Sequence, residues 1–535
     1  MGFTRFLFRN LDAFRARFFT IFIIGIFNGA AAFLIPVLLA EFTKGPFDIT
    51  RLQQLFIYII IIYAIALLLQ RFIRYYGEAL AFHFGNYIRE KYFIKFQHLP
   101  VKKLQEHHSG YRLAVLNRVA DSMGSLLMRI FWVISQSIAT IILFFYFTAR
   151  ESFFLAILNM VILTIFVAIN LFFAKKIAFY ADNLNKDRAS LLEKFADLMS
   201  NLLTIKKLGI QDFTNKIINI GVQQNKEKIN QMQRYHAKRW LVLHIIWAIA
   251  FLSTIFFFLY QIAIGKMTVA ILILFLTAFG MIKWQMEMIS EYIKDLLEIA
   301  KYIETLEEVA NYDEKRDHAR EITTWKSIQV KDICYTYDTH KKPIIIPYFS
   351  INKGEKVCIT GKSGIGKTTL LNILGNWIQP QKGIPKIGNI EYSAIDQEFF
   401  TKHMTFVSQE TELFNMSIEE NITLGKQIEK RKLLSLMKEV DLDILMEKIH
   451  NNLSMKVGEK GIRLSSGEKQ RMNLLRAILL NKDIYLLDEP TSHLDANTEK
   501  RVLQFLGKYL KNKTVIIVSH RPAVKAICDR VYEMQ

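Results

Sequence analysis

Gly361-Lys362-Ser363-Gly364-Ile365-Gly366-Lys367-Thr368 fits the spacing G-x-x-x-x-G-K-[ST]. The flanks suit it. Lys356-Val-Cys-Ile-Thr360 is a short β-rich run, and Thr369-Leu-Leu-Asn-Ile-Leu374 reads as the first turns of a helix. Gly361, Gly364 and Gly366 let backbone N–H groups around Ser363 and Thr369 wrap phosphate oxygens at a helix N-terminus, where the dipole already favours anions. Lys367 adds a point charge, and the Thr368 hydroxyl is suited to a magnesium ion. The pattern therefore predicts an α/β P-loop domain around residue 361.

Further along, Asp483-Ile-Tyr-Leu-Leu-Asp488-Glu489-Pro490 is an apolar strand ending in two acids. Asp488 is placed to hold the magnesium shell and Glu489 to polarise an attacking water. Leu464-Ser465-Ser466-Gly467-Glu468-Lys469-Gln470-Arg471 precedes it and opens a helical run. In this order and spacing the chain resembles the ATP-binding cassette (ABC) family, whose signature sequence occupies the position of Ser465 and Gly467. Gln409 matches the family's Q-loop glutamine, which also reaches the metal, and His520 its switch histidine. Tyr337 lies where the family stacks an aromatic on adenine. The resemblance implies ATP and Mg²⁺ as ligands, with Glu489, His520 and Gln409 as the catalytic set. It also implies a dimer in which the phosphate loop of one cassette faces the signature of the other. All catalytic positions match an active form, which favours a homodimer over pairing with a sister chain.

Two positions depart from the family pattern. Ser466 and Glu468 stand where the signature usually has glycine and glutamine, so a carboxylate is expected near a phosphate. His493, in Ser492-His493-Leu494-Asp495, stands where alanine is usual. Val457-Gly458-Glu459-Lys460-Gly461 and Leu413-Phe414-Asn415-Met416-Ser417-Ile418 resemble stretches that exporters carry.

Composition adds a membrane half. Hydrophobic residues make up 51% of 535, with 41 Phe, a heavy apolar share that lies almost wholly before residue 300. Spans are expected near 18–42, 53–73, 130–148, 152–174, 240–262 and 267–287, each long enough for a bilayer. A signal peptide competes for the first, but no small-residue cleavage site closes that run. Arg5, Arg9, Arg15 and Arg17 make residues 1–17 an amphipathic basic segment suited to the inner leaflet. Of the formal charge of +20, roughly +13 falls before residue 321, mostly in segments between the apolar runs. That placement follows the positive-inside rule rather than a nucleic-acid footprint, and no nucleic-acid motif is present. The long basic segments 74–129 and 175–239 then lie inside, with both chain ends, in the inner membrane of a bacterium.

The expected fold is a multi-domain membrane protein. An all-α six-helix transmembrane domain with long cytoplasmic helical extensions occupies 1–310, a linker 311–325, and an α/β ATP-binding cassette 326–535, with no further domain after it. The extensions resemble those of exporters, with coupling segments expected at 99–110 and 205–213. Cys334, Cys358 and Cys528 show no metal spacing and no disulfide framework, as suits a reducing compartment.

Function then reads as ATP-driven export of an amphipathic, lipidic or peptide cargo. An importer, or a regulatory protein gating a partner through the same ATPase cycle, is the alternative. Gln136 and Thr140 share one helix face in the third span, and His244 and Trp247 one face in the fifth. Polar groups in hydrocarbon normally face a bundle interior or wet cavity, so these four form the expected cargo path. Helix–helix hydrogen bonding is the other use of such groups. No acidic residue falls on either stripe, which favours a neutral or anionic cargo over a metal cation.

Overall fold

The computed structural model describes residues 2–43, 48–99, 101–106, 109–310, 322, 324–337, 343–458 and 464–534. They form two compact units, Met1–Tyr312 and Asp313–Gln535. Most of the expected linker, 311–321 and 323, and residues 459–461 of the loop before the signature lie outside the described residues.

The first unit is helical: α1 (Gly2–Asn10), α2 (Arg15–Thr43), α3 (Ile49–Gln97), α4 (Val101–Glu106), α5 (Ser109–Arg129), α6 (Ser135–Glu151), α7 (Phe153–Ser200), α8 (Leu202–Leu208), α9 (Gln211–Ala263) and α10 (Val269–Ala310). Among the described residues, six helical runs are long and apolar enough to cross a membrane: α2, α3, α5 continuing into α6, α7, α9 and α10. At 1.5 Å per residue, the 49 residues of α3 reach about 73 Å, well beyond a ~30 Å hydrocarbon layer. The two long basic segments are thus continuations of the spanning helices. Among the described residues they are broken near α4 and α8, within or beside the expected coupling segments. Gly209 ends α8 at φ 66°, a left-handed cap that costs glycine little. Ser152 accepts the N–H of Leu155 and starts α7 after a one-residue break. Pro36 sits inside α2 without ending it.

The N-terminal segment departs from the expectation of a helix lying on lipid. Phe6, Leu7 and Leu11 are buried in the bundle, Phe6 stacks on Tyr92 at 6.0 Å, and Arg9 pairs with Glu307 of α10. A helix this short gains more from a protein surface that covers its apolar face and partners its cation. Arg5, Arg15 and Arg17 stay exposed.

The second unit holds two sheets. Strands β1 (Ser327–Tyr335), β2 (Ile344–Asn352), β4 (Lys386–Ile387) and β5 (Ile390–Glu391) pair antiparallel in the order β2-β1-β4-β5. Strands β3 (Lys356–Thr360), β6 (Met404–Val407), β7 (Ile484–Asp488), β8 (Thr514–Val518) and β9 (Arg530–Glu533) form a parallel sheet in the order β6-β7-β8-β3-β9. Both faces of this sheet are covered, which explains apolar runs without alternation. Val357, Ile359, Leu486 and Ile516 pack into one core, while Cys358, Tyr485, Leu487 and Ile517 pack into the other.

Within the membrane unit, α2 meets the join of α5 and α6 at very short range. Residues Ile130–Ile134 form a π-helical turn there, and Ser135 donates its backbone N–H back to Ile130 O. Gly25 and Gly29, a G-x-x-x-G pair on α2, face this turn. A Cβ on Gly25 would stand 1.9 Å from Ser135 Oγ and 2.7 Å from Ser135 Cβ, and one on Gly29 would stand 2.2 Å from Gln136 O, a backbone atom. Gly29→Ala and Gly25→Ala are therefore each expected to destabilise the bundle by about 1–3 kcal/mol. Thermal unfolding in detergent checks this, and midpoints unchanged from that of the unmodified protein would refute the close-approach account.

Candidate nucleotide site

Parallel strands joined by crossovers deliver their C-terminal ends to one edge of the sheet, where ligands bind in α/β folds. β3 ends at Thr360 and feeds the glycine loop. β6 ends two residues before Gln409, β7 ends on Asp488, and β8 ends two residues before His520. Residues scattered over 160 positions of sequence thus gather at one edge because of strand order alone.

The loop itself is shaped by glycine. Gly361, Gly364 and Gly366 have φ of 147°, 79° and 110°, and α11 (Lys367–Leu374) starts directly after them. A Cβ on Gly366 would meet Ile344 Cγ2 at 2.4 Å. Lys367 Nζ is buried and donates to Gly361 O at 2.8 Å and Lys362 O at 3.0 Å, so the ammonium is held over the loop. The Thr368 hydroxyl donates to Asp488 Oδ2 at 2.7 Å. Asp488 is 3% exposed, and its carboxyl is pushed up from the usual range by burial, with the neighbouring Glu489 charge adding to this. A buried carboxylate and a hydroxyl in contact, with a second acid beside them, fit a hard divalent cation with oxygen ligands.

Glu489 sits at φ 46°, a left-handed conformation uncommon for a side chain of this type, and its N–H is anchored on Val518 O at 2.9 Å. His520 Nε2 lies 4.0 Å from Glu489 Oε1. The Tyr337 hydroxyl shares a hydrogen bond of 3.2 Å with Thr369 Oγ1, which holds the ring beside the first turn of α11. Gln409 and Ser363 are exposed.

The signature opens α12 (Ser466–Leu480), with Ser465 as its N-cap. Here the carboxylate of Glu468 is occupied rather than turned to a phosphate. It accepts the Ser465 N–H at 2.7 Å, while Ser465 Oγ accepts the Glu468 N–H at 3.2 Å, a capping box. Lys448 Nζ adds a bond at 3.2 Å. Burial opposes the charge, but the bonds from Ser465 and Lys448 outweigh it and hold this carboxyl below its usual range. Gly467 packs under the loop that follows Glu489, where a Cβ would meet His493 O at 3.3 Å.

Two residues beyond the expected set tie these parts together. Gln470 is buried. It donates to Glu489 O at 2.9 Å and accepts the His493 N–H at 3.2 Å. Arg521, next to His520, donates to Leu494 O and Ser492 O, each at 2.9 Å. Gln470 lies inside the signature stretch, and a buried amide on a helix is the signal that could have marked it. Arg521 has no such mark. His493 shares a hydrogen bond of 3.1 Å with Ser492, so the unusual histidine keeps its loop tied to the same network.

In the membrane unit the four cargo-path residues find different partners. Thr140 is fully buried and accepts a bond from Gln285 Nε2 at 3.0 Å. Gln136 is half-buried beside Gly29. His244 is half-exposed, stacks on Trp240 at 5.3 Å, and has Glu287 Oε1 3.4 Å from its Nε2. Trp247 is buried between Phe166 and Phe279. These two faces carry no acid of their own, but acids arrive from α10. Glu287, Glu291, Asp295 and Glu298 recur at helical spacing and meet His244, Arg239, Arg129 and Arg118 in turn. That i, i+4 spacing was the available signal.

Comparison with known proteins agrees with this geometry. The family model described as the ABC transporter transmembrane region matches residues 18–286, and the one described as ABC transporter matches 347–492. A probable ABC transporter ATP-binding/permease protein of Haemophilus influenzae is 26% identical over 474 residues, 85% of this chain and 83% of that protein. An ATP-dependent lipid A-core flippase of Methylobacillus flagellatus is 31% identical over 212 residues, 39% of this chain and 36% of that protein. This chain thus matches only about a third of the flippase's length. The structure of a bacterial Atm1-family ABC exporter with ATP bound superposes with a TM-score of 0.88 at 18% identity, covering 98% of this chain and 94% of that one. That likeness extends the fold over both units. With its membrane region matched over half its length and an ATPase region matched behind it, the chain belongs to the ABC transporter family.

Proposed function

We propose that the chain is one half of an ATP-driven exporter that works as a dimer by alternating access. The observation that carries the reading is the meeting of Thr368 with Asp488, and of Glu489 with His520, at one sheet edge in a chain whose described residues include six helical runs long and apolar enough to cross a membrane. Lys367 and the loop N–H groups bind phosphate oxygens, and Tyr337 stacks on the base. Thr368, Asp488 and Gln409 hold Mg²⁺, which when bound offsets the phosphate charge. Glu489 takes the proton of the attacking water, and His520, across from it, holds the terminal phosphate in place. Ser465 and the backbone near Gly467 close the site from a second copy. Both chain ends lie in the cytoplasm, as the basic extensions indicate. The flippase likeness supports a lipidic cargo, and amphipathic peptides share that chemistry.

Glu489→Gln keeps the shape of the side chain and removes the base, so hydrolysis should fall by about 100-fold or more with ATP binding retained. Lys367→Ala should weaken binding instead. Steady-state ATPase rates and nucleotide binding on the purified protein separate the two, and unchanged turnover in Glu489→Gln would remove Glu489 from its role.

Assembly has its own test. Subunits with Lys367→Ala and subunits with Ser465→Arg are each inactive as pure dimers. In a mixed dimer both defects fall on one site, so mixing should restore turnover at the other. A protein that is monomeric in lipid and fully active contradicts the composite site.

For the cargo path, single cysteines at 136 and 244 in a cysteine-free background should change labelling from inside to outside when vanadate traps the nucleotide. If both stay unlabelled in every state, Gln136, Thr140, His244 and Trp247 are packing residues and cargo moves along other faces.

A further inference from the structure

Glu489 has a backbone conformation that its neighbours must impose. Its φ of 46° is uncommon for a residue with a side chain, and it precedes Pro490, which pushes the residue before it toward extended backbone. Such a conformation persists where the surroundings over-determine it. On the entering side, β8 supplies a hold through Val518 O, which accepts the Glu489 N–H at 2.9 Å. On the leaving side, Glu489 O accepts the Ser492 N–H at 3.2 Å, a bond inside the same turn that swings with it. Gln470 brings a hold from a different element, α12. Its Nε2 donates to Glu489 O at 2.9 Å and to Ser492 Oγ at 3.2 Å, while its Oε1 accepts the His493 N–H at 3.2 Å. One amide thus spans residues 489–493 and uses donor and acceptor together. Gln470 is 1% exposed, so bulk water does not stand in for these bonds. Arg521 holds the later part of the loop through Ser492 O and Leu494 O, and the two side chains divide the loop between them. If φ at Glu489 relaxed to the ordinary negative range, its Cβ would turn, and with it the carboxylate whose Oε1 stands 4.0 Å from His520 Nε2.

We propose that Gln470 is a positioning residue for ATP hydrolysis: its amide clamps the turn after β7 and so keeps the Glu489 carboxylate aimed at the attacking water. The proposal rests on the role of base given to Glu489 above. It assigns Gln470 no contact with nucleotide, water or metal. The donor is the part that matters, because it alone reaches the Glu489 carbonyl, whereas the acceptor serves His493. Gln470→Met keeps the bulk and removes every bond. Gln470→Glu keeps the shape and the acceptor, and sets a carboxylate against the Glu489 carbonyl in place of an N–H. Lys367, Thr368 and Tyr337 are held by other partners, so nucleotide binding is left intact in both.

The test is steady-state MgATP hydrolysis by the full chain in lipid nanodiscs. Both variants should lose about 10-fold or more in kcat, with the KM for MgATP within about twofold of the unmodified protein. The same substitutions are then made on Glu489→Gln. There the carboxylate to be positioned is already gone, so the residual rate should fall by less than about twofold further. A role in packing alone would lower both backgrounds by the same factor. Amide hydrogen exchange supplies a measure that needs no turnover: the segment 489–494 should exchange faster in the variants, with β8 unchanged. If Gln470→Met does not fold, Gln470→Glu carries the same comparison. Unchanged kcat in a folded variant, a raised KM at unchanged kcat, or an equal further loss in Glu489→Gln overturns the positioning role while the base role of Glu489 stands. Full turnover in Glu489→Gln itself overturns both.

Discussion

The bond from the Thr368 hydroxyl to Asp488 joins two segments 120 residues apart, and most of the nucleotide site follows from what makes that contact possible. Thr368 opens a helix directly after β3, and Asp488 ends β7. Between those strands in the sheet lies only β8. Parallel pairing with crossovers leaves the chain no choice of edge, so the glycine loop, the acidic pair, Gln409 and His520 must all emerge on the same side. The electrostatic consequence is local. Asp488 is buried beside Glu489, and burial with that neighbouring charge pushes its carboxyl up. A pair so placed suits a bound cation, in line with the magnesium role proposed for it.

A different constraint governs the membrane unit. Backbone groups in hydrocarbon are satisfied only inside helices, so the segment grows as long rods and specificity is left to the seams. Two kinds of seam are visible. At Gly25 and Gly29 the backbones approach within the width of a methyl group, against a π-turn that re-aims Ser135 and Gln136. Along α10 the acids Glu291, Asp295 and Glu298 take Arg239, Arg129 and Arg118 from α9 and α5, and Glu287 meets His244, so the helix that ends the unit is fixed by polar pairing as well as by apolar contact.

Legibility in the sequence follows the same division. The phosphate loop, Asp488–Glu489, the signature and His520 could be read because their chemistry requires fixed residue types at fixed local spacing. The six spans could be read because length and hydropathy are properties of one segment. What escaped was everything that depends on a second segment. The partners of the α10 acids Glu291 and Asp295 are Arg239 and Arg129, which lie on other helices and cannot be read from α10 alone. The basic N-terminal helix looked lipid-bound, since nothing in residues 1–17 reveals Tyr92 and Glu307. Thr140 and Trp247 share faces with Gln136 and His244 by helical spacing, yet each is drawn to a different neighbour.

Glu468 shows how a substitution that reads as damage can be absorbed. Placed by analogy, its carboxylate threatens a phosphate. Placed by geometry, it closes a capping box with Ser465, the N-cap of the signature helix. A neutral amide could make the same bond to the Ser465 N–H, but only a carboxylate gains from the dipole of the helix it caps and from Lys448 across the way. The charge is thus spent within one subunit. Ser465 is pinned by two reciprocal bonds, and Gln470, one turn from the cap, links the same helix to the carbonyl of Glu489. The helix that opens after Ser465 and the end of β7 are thereby linked directly, through the Gln470 amide and the Glu489 carbonyl.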